Sequence, residues 1–331
     1  MKRIIAFTFL FFLTGCSPAK EYDRSFLLMG TVVNVKTKEA QDSKVAVEKA
    51  IRKMYELDGV FNRFSTESEL FRINNSKSKE RIEVSNDIYT LLNLAIELNK
   101  KTYGAFDVTI GPLEKAWGFY DKESATHPGR EKIKVLLKST GMNNLFFDKS
   151  KKEIQFKNAE MELDFSAIAK GYIVDEAIKI LKESGIDSAL IDAGGDVYCL
   201  GKKGRMDWVI GIRDPRNKRE ILAKLNLSDR AVATSGGYEN FIVLDGKKYP
   251  HIIDPRTGFP VNNNVISATV IAEDCATADG LSTVFFILNP EQSLDIAESE
   301  EGIDCVIIAL EKGNLRFIVS SGIEKSLTII K

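Results

Sequence analysis

The sequence predicts an α+β fold in which mixed or antiparallel sheets are flanked by helices. Two observations carry that expectation. Six short β-like runs succeed one another between Ser188 and Ile271 with no long helix among them, a clustering that disfavours a doubly wound parallel sheet. Helical patterns stand on either side of that block, at about Lys170–Ser184 and Ala276–Leu288. No repeat at a fixed period and no low-complexity segment interrupts the pattern.

In chain order, strand-like alternation begins near Phe26 and runs through Thr31, Val32, Val33, Asn34 and Val35. A helix follows, capped by Asp42 or Ser43, with Val47, Ala50, Ile51 and Met54 on one face. Ser85 caps a second helix whose stripe is Ile88, Leu91, Leu92 and Ala95, and Gly104 lies just past its end. Asp121 to Arg130 carries Pro128 and Gly129 among polar residues and reads as a loop. The third helix runs from about Lys170 to Ser184 and stops at Gly185. The six β-like runs are Ser188–Ile191, Trp208–Ile212, Ile221–Leu225, Ala231–Thr234, Phe241–Leu244 and Val265–Ile271. Helices near Ala276–Leu288 and Glu291–Glu298, and strands at Cys305–Leu310 and Leu315–Val319, close the chain.

The N-terminus has its own pattern. Met1, Lys2 and Arg3 precede an apolar run from Ile4 to Leu13, the charged start and short hydrophobic segment of a secretory signal. A spanning helix needs about 20 such residues. Leu13-Thr14-Gly15-Cys16 resembles the lipobox of bacterial lipoproteins, whose cysteine is acylated and becomes the mature N-terminus. The expected organisation is a signal peptide over residues 1–15, a tether over 16–25 with Cys16 lipidated, and a globular domain over 26–331. The protein would then be exported and lipid-anchored to a bacterial cell membrane, facing the periplasm or extracytoplasmic side. An ordinary signal peptide or a chance cysteine is the alternative.

Composition excludes several classes. The net charge of −1 and interspersed charges of both signs give no footprint for nucleic acid. With 44% hydrophobic residues, the chain beyond the tether is not of disordered composition. Cys199, Cys275 and Cys305 show no Cys-x-x-Cys spacing, so a zinc site or disulfide scaffold is not indicated. One disulfide or three buried thiols both remain open.

Polar residues that fit poorly as ordinary surface fall in short, glycine-marked clusters. The strongest is His251-Ile-Ile-Asp254-Pro-Arg-Thr-Gly258, a strand ending in a tight turn. His251 is one of only two histidines, and a lone histidine is more often a structural hydrogen-bonder than a catalyst. In Asp274 to Thr283, a helix would place Asp279, Ser282 and Thr283 at i, i+3 and i+4 on one face. A carboxylate with hydroxyls is a ligand set that magnesium accepts, and the same residues could equally cap a helix start. Asp164-Phe-Ser166-Ala167-Ile-Ala-Lys170-Gly171 leads into the third helix. There Gly171 would let backbone approach a ligand, and a helix N-terminus with Lys170 would attract phosphate, though the segment taken alone could be just a capped helix. Weaker pieces are Met29-Gly30-Thr31, Phe64 to Leu70, Gly104-Ala105-Phe106-Asp107-Val-Thr109, Asp192-Ala-Gly194-Gly195-Asp196 and Thr234-Ser235-Gly236. Each alone is compatible with a turn.

Taken in order, these pieces resemble the ApbE family of FAD:protein FMN transferases. The resemblance implies an ApbE-like fold with the site in a groove between sheets and helices. It also implies an enzyme that cleaves the FAD pyrophosphate, moves FMN onto a threonine or serine hydroxyl of an acceptor protein, and releases AMP. By similarity, Met29, Phe64, Ala105, Phe106, Asp107, Asp164, Lys170 and Ile253 would hold FAD. Ala167, through its backbone oxygen, with Asp279 and Thr283, would bind Mg2+. Some members carry an aspartate where this chain has Ser282, which leaves Ser282 open as a ligand. Expected acceptors are flavin-carrying subunits of membrane electron-transport complexes. A hydroxyl nucleophile needs a base, for which His251 is the first candidate and Asp254 or Asp279 the others. A magnesium-dependent FAD pyrophosphatase and a non-catalytic flavin-binding lipoprotein are the competing readings.

Overall fold

The computed structural model describes residues 21–38, 41–76, 80–121, 123, 125–237 and 240–330. The expected signal segment and Cys16 lie outside the described residues. Strands β1 (Glu21–Leu28) and β2 (Thr31–Lys38) form a hairpin. A single strand through Phe26–Val35 was expected. Instead, Met29 and Gly30 both adopt positive φ, 51° and 70°, as a two-residue hairpin turn with the strands' own twist requires. β1 begins at Glu21, so the last five residues assigned to the tether are sheet.

Helix α1 (Gln41–Phe61) places Asp42 and Ser43 inside its first turn, not at its cap. The short α2 (Glu69–Asn74) is capped by Ser68, and β3 (Ile82–Glu83) and α3 (Asn86–Lys101) follow, with Ser85 as the α3 cap. Next come α4 (Gly111–Trp117), α5 (Arg130–Ser139), β4 (Leu145–Asp148), β5 (Glu153–Phe156) and α6 (Ala169–Glu183). The β-rich block comprises β6 (Ala189–Ala193), β7 (Asp196–Leu200), β8 (Trp208–Asp214), β9 (Asn217–Leu227) and β10 (Arg230–Ser235). It continues with the hairpins β11 (Phe241–Leu244)–β12 (Lys247–Pro250) and β13 (Ile253–Asp254)–β14 (Phe259–Pro260). The chain closes with β15 (Val265–Ala272), α7 (Cys275–Ile287), α8 (Pro290–Ser299), β16 (Asp304–Glu311), β17 (Asn314–Val319) and β18 (Leu327–Ile329).

The central sheet has eight strands in the order β1-β2-β6-β7-β10-β15-β16-β17, and every neighbouring pair is antiparallel. Helices α1, α3, α6 and α7 pack on one face. The other face buries Val197, Val232, Ile271 and Ile308 against the three-stranded β8–β9–β18 sheet through Trp208, Leu222 and Leu225. Covering both faces explains why β16 reads as an unbroken apolar run instead of alternating. A third cluster joins Leu113 and Trp117 of α4 and Ile133 of α5 to Ile242 and Ile253 of the two hairpins. Among the described residues, no helix is long and apolar enough to cross a membrane.

Candidate active site

Antiparallel pairing gathers three turns at one end of the central sheet. Val33 pairs with Ala193, which sets the Met29-Gly30 turn beside the Gly194-Gly195 turn. A Cβ on Gly194 would overlap the Thr31 side chain. Across the sheet Val197 pairs with Val232, so β10 leaves the same end at Ser235. Above that end lie the start of α6, which carries Lys170, and α7, which carries Asp279.

The two helices meet at an ion-paired triad. Lys170 Nζ lies 2.5 Å from Asp196 Oδ2 and 3.1 Å from Asp279 Oδ1, and both aspartates are buried. The Gly171 N–H donates to Asp279 Oδ2 at 3.1 Å. Burial alone would lower the Lys170 ammonium, but Asp196 and Asp279 outweigh it and hold its pKa above the ordinary value. Asp196 is raised, first by burial and then by Asp279, although Lys170 pulls the other way. Two buried carboxylates sharing one ammonium leave a negative charge unbalanced, which is an environment that favours a further cation.

Hydroxyls line the same place. Ser235 Oγ is 2.8 Å from Ser282 Oγ and 3.3 Å from Thr283 Oγ1, and Ser282 donates to the Asp279 carbonyl at 2.9 Å. Among the described residues, no three His, Cys, Asp or Glu side chains form a metal cluster. A cation here would therefore need mixed carboxylate, hydroxyl and backbone oxygens, the hard donors that suit Mg2+. The residues present fit that ion.

The His251 segment reaches the same helix. A Cβ on Gly237, two residues past Ser235, would lie 3.2 Å from both Pro250 Cβ and Phe286 Cζ of α7. His251 Nδ1 faces the Asn240 carbonyl at 3.0 Å. Since a carbonyl only accepts, Nδ1 carries the proton there and Nε2 is the basic nitrogen. Asp254 is held differently: its two oxygens accept from Arg256 Nε at 2.9 Å and from an Arg256 terminal nitrogen at 2.8 Å.

A cavity of about 380 Å³ is lined in part by Arg63, Phe64, Asn74, Lys115, Tyr120 and Glu162. Arg63 binds Asp164 at 2.6 Å and Glu162 at 2.7 Å. Tyr120 contacts Arg63, Glu114 and Asp164, and the Phe64 ring packs edge-on against Tyr120. Burial would raise the Asp164 carboxyl, but the Arg63 guanidinium overrides it and holds it below the usual range. Glu114, buried and next to Asp164, is held well above.

The sequence matches the ApbE family over residues 29–307. The chain belongs to that family. A FAD:protein FMN transferase of Vibrio cholerae is 34% identical over 96% of this chain and 97% of its own length. One from Haemophilus influenzae is 32% identical over 99% and 98%. The solved flavin transferase ApbE from Vibrio cholerae superposes with a TM-score of 0.84 at 32% identity, covering 93% of this chain and all of that one. The Thermotoga maritima ApbE protein gives 0.85 at 33% identity, covering 93% and 99%.

The α+β expectation therefore holds, with the ApbE architecture. The structure joins Lys170 to Asp279 directly, sets the Ser282 and Thr283 hydroxyls of the same helix against Ser235, and packs Phe106 on that helix at Gly280, whose Cβ would lie 3.4 Å from the Phe106 ring. Asp164 and Phe64 gather instead around Arg63. Ala105, Phe106 and Ile253 are buried as whole residues. Asp107 accepts from Thr109 N, Thr109 Oγ1 and Met142 N, which makes it the organiser of its own loop. Gly171 does not open space for a ligand: a Cβ there would lie 2.5 Å from the Cys275 carbonyl carbon and 2.7 Å from Ala276 Cα, so it is bare because α7 packs on it. The three cysteines are buried free thiols. Asp196 and Ser235 stand in two of the weaker glycine-marked pieces, with no role assigned to either; Arg63 and Tyr120, 57 positions apart, carry no sequence signal.

Proposed function

We propose that this ApbE-family chain transfers the FMN half of FAD to a threonine or serine hydroxyl of an acceptor protein and releases AMP. The observation that supports it most directly is the convergence of Asp196 and Asp279 on Lys170 beside the hydroxyls of Ser235, Ser282 and Thr283. A binder of flavin has no need of such a charge cluster, whereas breaking a diphosphate does.

Asp279, Thr283 and the backbone oxygen of Ala167 are the proposed holders of Mg2+, with Ser282 at the edge of the set. Bound there, Mg2+ would neutralise charge on the phosphate oxygens. Lys170 adds a fixed positive charge beside them. His251 Nε2 is the proposed base, because Nδ1 is committed to Asn240. It takes the acceptor's hydroxyl proton as that oxygen bonds to the FMN phosphorus. The bond from that phosphorus to the bridging oxygen breaks, and AMP leaves with the oxygen. Asp254 is a weaker base candidate because Arg256 engages both its oxygens. The proposed acceptors are flavin-carrying subunits of membrane electron-transport complexes, reached by an exported enzyme anchored through Cys16.

The test incubates residues 17–331 with FAD, Mg2+ and an acceptor fragment, and reads flavin fluorescence in a denaturing gel together with AMP. Fluorescence that survives denaturation supports transfer. AMP and FMN without labelling make the chain a pyrophosphatase, and neither product makes it a binder. His251→Ala should lose transfer and keep FAD binding; unchanged turnover in that variant removes His251 from the mechanism.

A further inference from the structure

We infer that Asp175 is a positioning residue: it ties α7 to α6 and so holds Asp279 against Lys170. The first amides of a helix have no intrahelical partner. In α7 all three of the first are taken by carboxylates. Asp274, the helix's own cap, accepts from Thr277 N at 2.7 Å. Asp175 comes from a different helix and accepts from Cys275 N at 2.7 Å and Ala276 N at 2.9 Å, one amide to each oxygen.

The placement makes Asp175 more than a second cap. Gly171 and Asp175 are one turn apart on the same face of α6, and a Cβ on Gly171 would lie 2.5 Å from the Cys275 carbonyl carbon. The bare glycine sets how close α7 can come, and the carboxylate sets where its first residues stop. Asp279 is one turn beyond Cys275 on the same face of α7. Its carboxylate takes the Gly171 amide and the Lys170 ammonium. Releasing Cys275 from α6 therefore moves Asp279, whereas weakening the Asp274 cap frays the helix end without uncoupling the two helices. The link to catalysis rests on the proposed transferase reading; the link to Lys170 does not.

The experiment compares Asp175→Ala with Asp274→Ala in the mature chain, each of which strips partners from α7 amides. Three quantities are measured: the melting temperature, the rate of Lys170 acylation by an activated ester, followed by peptide mass spectrometry, and the Mg2+ midpoint for FAD turnover. Lys170 keeps 31% of its side chain accessible, so the reagent can reach it. Both variants should melt lower. Only Asp175→Ala should raise the Lys170 acylation rate and the Mg2+ midpoint, by at least about fivefold, the factor equivalent to one lost cap. Asp175→Asn keeps one acceptor oxygen and serves if the alanine variant does not fold; it should shift both in the same direction by less. An unchanged Lys170 rate in the Asp175 variants overturns the inference, as does an equal rise in Asp274→Ala. If the wild-type chain turns over FAD without any cation dependence, the metal reading fails by itself and the lysine rate still decides this one.

Discussion

Replacing Gly171 with alanine sets two effects of opposite sign against each other. Within a helix, alanine is favoured over glycine by about 1 kcal/mol. Here the added methyl carbon would lie 2.5 Å from the Cys275 carbonyl carbon and 2.7 Å from Ala276 Cα. Both are backbone atoms, which no rotamer change can move. Ordinary contact between carbon atoms is about 3.5–4.0 Å, so α6 and α7 must part by about 1 Å. Overpacking of that kind costs about 1–3 kcal/mol. The same motion lengthens the Gly171 N–H bond to the Asp279 carboxylate, a charge-assisted bond whose loss costs about 1.5–3 kcal/mol. The net expectation is destabilisation of about 1.5–5 kcal/mol, a fall in Tm of about 2–8 °C for a chain of this size. FAD turnover should fall with it, because Asp279 moves with α7. Calorimetry and a product assay on the same preparation check both. A Tm equal to or above wild type with unchanged turnover would show that α6 and α7 are not in the close contact described, and the account of the site would go with it.

Other expectations follow from the buried charges around Arg63 and from the bond that Trp117 makes to the Gly258 turn. Arg63→Leu leaves Asp164 and Glu162 without their guanidinium and should cost about 3–5 kcal/mol in a denaturant titration. A loss under 1 kcal/mol would mean that the carboxylates find other partners. Glu114 is raised by burial and then by Asp164, so the folded chain holds its proton to higher pH than the unfolded chain does. Its contribution to stability is thus greatest below the unfolded pKa and declines as pH rises toward the folded value. Glu114→Gln should match wild type at acidic pH and become the more stable of the two as pH rises; parallel Tm curves from pH 5 to 9 would refute this. Trp117→Phe removes the 3.0 Å bond from Nε1 to the Gly258 carbonyl at the turn of the His251 segment. It should cost about 1 kcal/mol and raise hydrogen exchange between Thr257 and Pro260 while leaving the central sheet unchanged.

Much of the secondary structure was legible because strong local signals coincided. Ser85 with the Ile88, Leu91, Leu92, Ala95 stripe gave α3 its cap and buried face, and Phe241–Leu244 was placed at its observed limits. Misses occurred where local signals are weak. The short α2 and α4 lack the length for a periodic stripe, and half of α5 is charged with Ile133 as its single buried apolar anchor. The β1–β2 turn at Met29-Gly30 was hidden because methionine is an unfavourable residue at positive φ. Only the tertiary context holds it there.

Sequence alone determined the types of the longer elements, the α+β class and the set of motifs that carries the family resemblance, because periodicity, caps and glycine turns are local and survive without coordinates. It also placed Asp279, Ser282 and Thr283 on one helical face, since a helix fixes i, i+3 and i+4 by its own geometry. The tertiary structure decided which charges share a space. Asp196, Lys170 and Asp279 come from β7, α6 and α7, and no spacing relates them. Gly171 is the sharpest case, because a glycine's missing side chain looks the same whether a ligand or a helix fills the gap, and only the packing of α7 on α6 tells which.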